Sequence, residues 1–137
     1  MITSKITESR IYSDLIRKEV QDISSGAIVL FSGEVRDHDK GKRVRKLIYE
    51  IHPTADEVLK KIAIEIKAKY GVTNISVAHR YGDIAIGESA FIVAVSSPHR
   101  EKAFMACQEL VERVKIELPI WKFQEFEDGS TEWVNSA

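Results

Sequence analysis

Apolar residues along this chain recur with two periods, near 3.6 and near 2, so the pattern predicts helices and strands in succession. A short strand is predicted over Lys5 to Ile11. Tyr12, Leu15, Ile16, Glu19, Val20 and Ile23 then keep helical spacing, with Ser13 as a cap and Ser24-Ser25-Gly26 as the break. Ala27 to Ser32 is apolar and rich in β-branched residues, which predicts a buried strand. Gly33 to Arg43 is polar and reads as a loop, and Val44 to Ile51 as a strand. Pro53 opens a second helix through Val58, Leu59, Ile62, Ile66 and Tyr70, closed by Gly71. Alternation of Ile75, Val77 and His79 with polar residues predicts a strand over 74–81. Gly82 and Gly87 bracket a turn or short strand, and Ser89 to Val95 is a second buried strand. Ser97 is read as the cap and Pro98 as the first residue of a third helix, running to about Leu118. Its apolar stripe is Ala103, Phe104, Cys107, Leu110, Val111, Val114 and Leu118. Ile120 to Glu127 and Thr131 to Val134 are strands joined at Asp128-Gly129, a hairpin signal.

Strands arriving in pairs between helices argue for an α+β arrangement rather than a doubly wound parallel sheet. No repeat or flexible linker interrupts the 137 residues, and a single domain over 1–137 is expected. Charge changes the picture more than length does. Twenty Lys+Arg stand against 21 Asp+Glu, net −1, which excludes a protein that coats polyanions through a basic surface. Any anion site must be local. One cysteine, Cys107, can form neither an internal disulfide nor a zinc site, and its place in the apolar stripe makes it packing rather than a nucleophile. The first residues hold no apolar signal segment, and no stretch is long enough to span a bilayer, so a cytoplasmic location is expected.

Three segments carry candidate chemistry. In Ser96-Ser97-Pro98-His99-Arg100, the expected cap puts His99 and Arg100 in the first helical turn, where a cation costs about 0.3–1 kcal/mol. Either Arg100 points to solvent while His99 packs on the sheet, or the pair joins free helix N–H groups in binding phosphate or carboxylate. Lys115 lies at the edge of the third helix's stripe. It either snorkels to water or lines a cleft, where partial desolvation suits it to proton transfer or anion stabilisation. Lys122 shares its strand face with Ile120 and opposes Trp121. Gly33-Glu34-Val35-Arg36 ends a buried strand and holds Arg36 on a loop, a common setting for site residues. The following run, Asp37 to Arg43, reads as a solvated charged face without metal-ligand spacing. His52 and His79 have no obvious partners. No phosphate-binding glycine loop, zinc-protease helix or serine-hydrolase elbow is present.

In chain order the segments Gly26-Ala27-Ile28-Val29-Leu30-Phe31-Ser32-Gly33-Glu34-Val35-Arg36, Leu47-Ile48-Tyr49-Glu50, His79-Arg80-Tyr81-Gly82 and Gly87-Glu88 are followed by Val95-Ser96-Ser97-Pro98-His99-Arg100, Lys115, Pro119-Ile120-Trp121-Lys122 and Glu127-Asp128-Gly129-Ser130. Together they resemble the large, catalytic subunits of molybdopterin synthase, the MoaE family, across residues 7 to 134. The resemblance implies an α/β hammerhead-type fold with an additional antiparallel β subdomain. It implies a cytoplasmic sulfurtransferase of molybdenum cofactor biosynthesis, a homodimer within a heterotetramer, with a small ubiquitin-like sulfur-carrier subunit docked at each end. The carrier's C-terminal Gly-Gly thiocarboxylate would enter a pocket and deliver sulfur to cyclic pyranopterin monophosphate. Two rounds would install the dithiolene of molybdopterin. No cofactor, metal, nucleic acid or membrane is implied.

On this resemblance Lys115 and Lys122 are catalytic, and Glu34, Val35, Arg36, His99, Arg100, Lys115, Lys122, Phe123 and Gln124 bind substrate. Family members usually read Trp-Lys-Lys-Glu where this chain has Trp121-Lys122-Phe123-Gln124. A non-catalytic module that binds a sulfur carrier or a phosphate ligand is the alternative reading.

Overall fold

The computed structural model describes residues 1–136, so Ala137, the end of the expected domain, lies outside the described residues. Its elements run β1 (Ile2–Thr7), α1 (Ser13–Val20), β2 (Ala27–Glu34), β3 (His38–Asp39), β4 (Lys42–Ile51), α2 (Ala55–Tyr70), β5 (Asn74–Arg80), β6 (Gly82–Ile84), β7 (Ser89–Ser97), α3 (Arg100–Glu117), β8 (Ile120–Phe126) and β9 (Thr131–Val134). They form two sheets. One has the order β1-β5-β7-β2, with β1 parallel to β5 and the other pairs antiparallel. The other is wholly antiparallel, β3-β4-β8-β9, with β6 also paired to β4. This is the α+β class expected, with the second sheet as the added antiparallel part.

The first sheet is covered on both faces. Leu59, Ile62 and Ile66 of α2 and Leu110 and Val114 of α3 bury against Ile75, Val77, Val93 and Val95. On the opposite face Ile16 and Val20 of α1 pack on Ala78, Ile92 and Ala94. The strand expected at 74–81 is therefore covered on both faces: all seven residues of β5 are buried. The alternation was real, but α1 supplies a second apolar layer over the other face. The same geometry leaves Tyr12, Leu15 and Ile23 exposed, so the amphipathic segment buries a narrower stripe than its spacing suggests.

Other expectations shift. β1 starts at Ile2 rather than Lys5, because Ile2 and Ile6 pack against the core while the strand runs beside β5, Ile2 opposite Ile75. The N-cap of α1 is Tyr12, with no side-chain cap bond, and Ser13 is the first helical residue. In α3 the stripe includes Ala106, whereas Phe104 is 58% exposed. Strands come in threes, not pairs, between the helices, because two short strands, β3 and β6, flank β4. The Gly71 stop is as expected: it adopts the left-handed conformation, φ 64°, and its N–H donates to the Lys67 carbonyl at 2.8 Å. Among the described residues no helix is long and apolar enough to cross a membrane.

The largest correction concerns the start of α3. Ser97 is the last residue of β7, paired opposite Ala27, so it lies in the ladder and does not cap the helix. Pro98 makes the bend, His99 is the extended N-cap residue, and Arg100 is the first helical residue. His99 is therefore outside the turn expected to hold it, and Glu101 places a carboxylate there.

Candidate active site

The two sheets and the C-terminal turn of α3 enclose a cavity of about 300 Å³. The first sheet contributes Gly33 and Glu34 from the end of β2, His79 from β5 and Phe91 from β7. The second contributes Asp39 from β3, Tyr49 from β4, and Lys122 and Gln124 from β8. Arg36 and Lys115 stand at its rim. A bulge in the pairing between Gly33 and Glu34 turns β2 away from β7 at this point. The chain beyond it is pinned by Val35 N–H donating to the Glu88 carbonyl (3.0 Å) and Gly87 N–H donating to the Val35 carbonyl (2.8 Å). Register does the rest: Lys122 lies opposite Tyr49 and Gln124 opposite Leu47, so these four side chains share one face.

Of the expected site residues, Glu34, Val35, Arg36, Lys115, Lys122 and Gln124 line this one cavity. The two lysines differ. Lys115 is exposed, and among the described residues its ammonium has no ion-pair partner. Lys122 is partly buried, and burial lowers its pKa; the Asp39 carboxylate opposes that and the Lys115 charge adds to it. Three expected residues stand elsewhere. Phe123 faces away from the cavity and packs on Trp133, ring centroids 4.9 Å apart. His99 and Arg100 are exposed at the opposite end of α3, about 22 Å from Lys115 at 1.5 Å per residue.

Asp39, His79 and Tyr49 were missed by the sequence reading. Asp39 sits in the run taken for a solvated face, but Lys40 (φ 52°) and Gly41 (φ 78°) make a two-residue turn that folds β3 back along β4. Its carboxylate accepts from Gln124 Nε2 at 2.8 Å and pairs with Arg36 Nη2 at 3.5 Å. The Gln124 bond chiefly holds the Asp39 pKa below its usual value. Gln124 thus stands against a carboxylate, which restores near Lys122 the negative charge that its amide lacks. The one cue in the sequence was Gly41 behind a polar run, too weak to mark a strand of two residues.

His79 is 1% exposed. Its ring stacks on Phe91 with centroids 5.2 Å apart and meets Tyr49 edge-on at 5.1 Å, joining the sheets across the cavity floor. Burial pushes its pKa from 6.5 to about 4, against the bond to the Arg80 carbonyl, and the Lys115 charge adds to the depression. The unfolded chain takes up this proton near the ordinary histidine pKa and the folded chain only near pH 4, so stability is lost as pH falls between the two. We expect unfolding free energy to drop by about 2 kcal/mol between pH 6.5 and 5. Urea denaturation across that range checks it, and His79→Gln should flatten the slope. A slope unchanged by the substitution would assign the loss to other groups.

Among the described residues no group of three or more His, Cys, Asp or Glu is placed to hold a metal ion. Cys107 is buried in the core, and burial pushes its thiol up to about 11.

Comparison with known proteins adds an independent line. Residues 6–117 match the family model described as MoaE protein. The molybdopterin synthase catalytic subunit of Bacillus subtilis (strain 168) is 40% identical over 131 residues, 95% of this chain and 83% of that protein. That of Staphylococcus epidermidis (strain RP62A) is 40% identical over 133 residues, 96% of this chain and 85% of that one. Among solved structures, a molybdopterin synthase from Staphylococcus aureus matches with a TM-score of 0.87 and 37% identity over 94% of each chain.

Proposed function

The chain belongs to the MoaE family, whose relatives are molybdopterin synthase catalytic subunits, and we propose that it transfers sulfur from a carrier's C-terminal thiocarboxylate to cyclic pyranopterin monophosphate. The observation that carries this reading is the convergence of Arg36, Lys115 and Lys122, from three separate stretches, on one cavity of a nearly neutral chain. A phosphorylated ring and an anionic sulfur donor both need such a local positive site. The absence of a usable thiol supports delivery of sulfur by a partner, since Cys107 is buried and held protonated.

The residues divide the work by position. Lys115, exposed at the rim and without an ion-pair partner among the described residues, meets the incoming thiocarboxylate and stabilises charge as sulfur adds to the ring. Lys122, partly buried with a lowered pKa, gives up a proton more readily than an ordinary lysine and serves as the proton donor when the cyclic phosphate opens. Arg36 holds the phosphate with one face of its guanidinium while Asp39 anchors the other. Each transfer forms one carbon–sulfur bond and breaks the carrier's acyl–sulfur bond with water, returning the carrier as a carboxylate. Two transfers complete the dithiolene.

His99 and Arg100 cannot reach their own chain's cavity, so a role for them requires the second copy of a homodimer to present them. Mixing Lys115→Ala and Arg100→Ala chains should then recover activity that neither has alone; a dead mixture would remove the pair from the site. The reading as a whole is tested by combining the chain with thiocarboxylated carrier and precursor and measuring molybdopterin. Product in proportion to carrier is expected. A folded chain that binds precursor but makes no product with excess carrier would favour the binding-module alternative.

A further inference from the structure

Beneath the charged rim the cavity floor has a different character. Tyr49 and His79 are 8% and 1% exposed, and both line the cavity. Among the described residues the Tyr49 hydroxyl has no hydrogen-bond partner, while its ring packs in the core and meets His79 edge-on. The His79 ring is fixed by one bond, Nδ1 to the Arg80 carbonyl at 2.7 Å. A carbonyl can only accept, so Nδ1 carries the proton and the neutral ring leaves Nε2 as an acceptor without a partner among the described residues. The hydroxyl and the ring nitrogen open into the cavity, and with no protein group among the described residues to satisfy either, both are free to bond a ligand seated there. Burial keeps both neutral, with the Tyr49 phenol raised to about 12.

We propose that Tyr49 and His79 form a neutral recognition floor, separate from the anion-binding rim. There His79 Nε2 accepts from a ring N–H, and the Tyr49 hydroxyl donates to a neighbouring ring carbonyl of a heterocyclic ligand. The two rings touch, so one small heterocycle with adjacent N–H and C=O groups spans both. The proposal deepens the function given above, since a pterin ring presents such an edge. It assigns orientation of the ring to residues outside the cationic set, and it makes the floor a determinant of which ring is accepted.

The discriminating variant is Tyr49→Phe, which deletes one oxygen that no protein atom needs. A purely structural tyrosine predicts unchanged or higher stability and unchanged binding. The proposal predicts unchanged or higher stability together with about tenfold weaker binding of pterin, read by its fluorescence at pH 6.5. Affinity for inorganic phosphate, the probe of the rim, should stay within about twofold. His79→Phe should weaken pterin to a similar degree, and His79→Gln, which returns an amide near the position of Nε2, should recover part of it. Pterin bound equally by wild type and Tyr49→Phe overturns the floor, as does no pterin binding by wild type at millimolar concentration. Equal loss of pterin and phosphate overturns it too, since that reports a collapsed cavity. Turnover with the thiocarboxylated carrier is scored separately. Turnover without Tyr49-dependent pterin binding sinks the floor alone, and Tyr49-dependent binding without turnover sinks the sulfur-transfer reading alone.

Discussion

Lys115→Ala should lower molybdopterin formation about a thousandfold, the scale set by removing one charge-stabilising donor from an active site. The side chain projects from the last turn of α3 at the cavity rim, exposed and without an ion-pair partner among the described residues. Its removal breaks no bond that holds the fold, so thermal stability should stay close to that of wild type. The loss should therefore fall on turnover and not on the amount of folded chain. The assay is product formation at saturating thiocarboxylated carrier, with circular dichroism as the control for folding. A folded variant that makes molybdopterin at the wild-type rate would take Lys115 out of the mechanism. Lys122→Ala is a less clean experiment, because that side chain also lies in the interacting cluster of Asp39, Arg36 and Lys115.

The largest expected effect on stability lies one and a half turns earlier in the same helix. Leu110 is fully buried where α2, α3 and the first sheet meet. Leu110→Ala removes apolar surface and leaves a cavity among neighbours fixed by the sheet, which should cost about 3 kcal/mol. Urea denaturation should show a lower midpoint with an unchanged slope. A cost below about 1 kcal/mol would mean that the helices close over the gap. Because α3 carries Lys115, the variant should also lose activity on warming before wild type does.

These two residues show different degrees of legibility. Leu110 could be read directly: its spacing from Cys107, Val111 and Val114 marks one face of a helix, and that face is buried. Lys115 could be read as an edge residue with two fates, and only the second sheet, folded against the end of α3, decides that it stands over a cavity. Phe104 followed the same helical rule and is exposed, because the apolar stripe is wider than the surface available to cover it.

His99 and Arg100 show the opposite error. A serine followed by proline is a sound local cap signal, but pairing of Ser97 with Ala27 continues β7 through it, and hydrogen bonds to a strand 70 residues away outweigh a one-residue capping preference. Asp39 was hidden for a related reason. A strand of two polar residues has no periodicity, and it exists only because its partner β4 is already held by β8.

By itself the sequence determined the order and kind of most elements, the buried faces of α2 and α3, the near-neutral charge that demands a local anion site, and the motifs that mark the family. Those are properties of spacing and composition within a dozen residues. The tertiary structure alone decided which cations share a cavity, that a carboxylate and an amide brace them, and that Tyr49 and His79 meet on its floor. These depend on register between strands far apart in the chain, where a shift of one residue would turn every site side chain to the other face of its sheet.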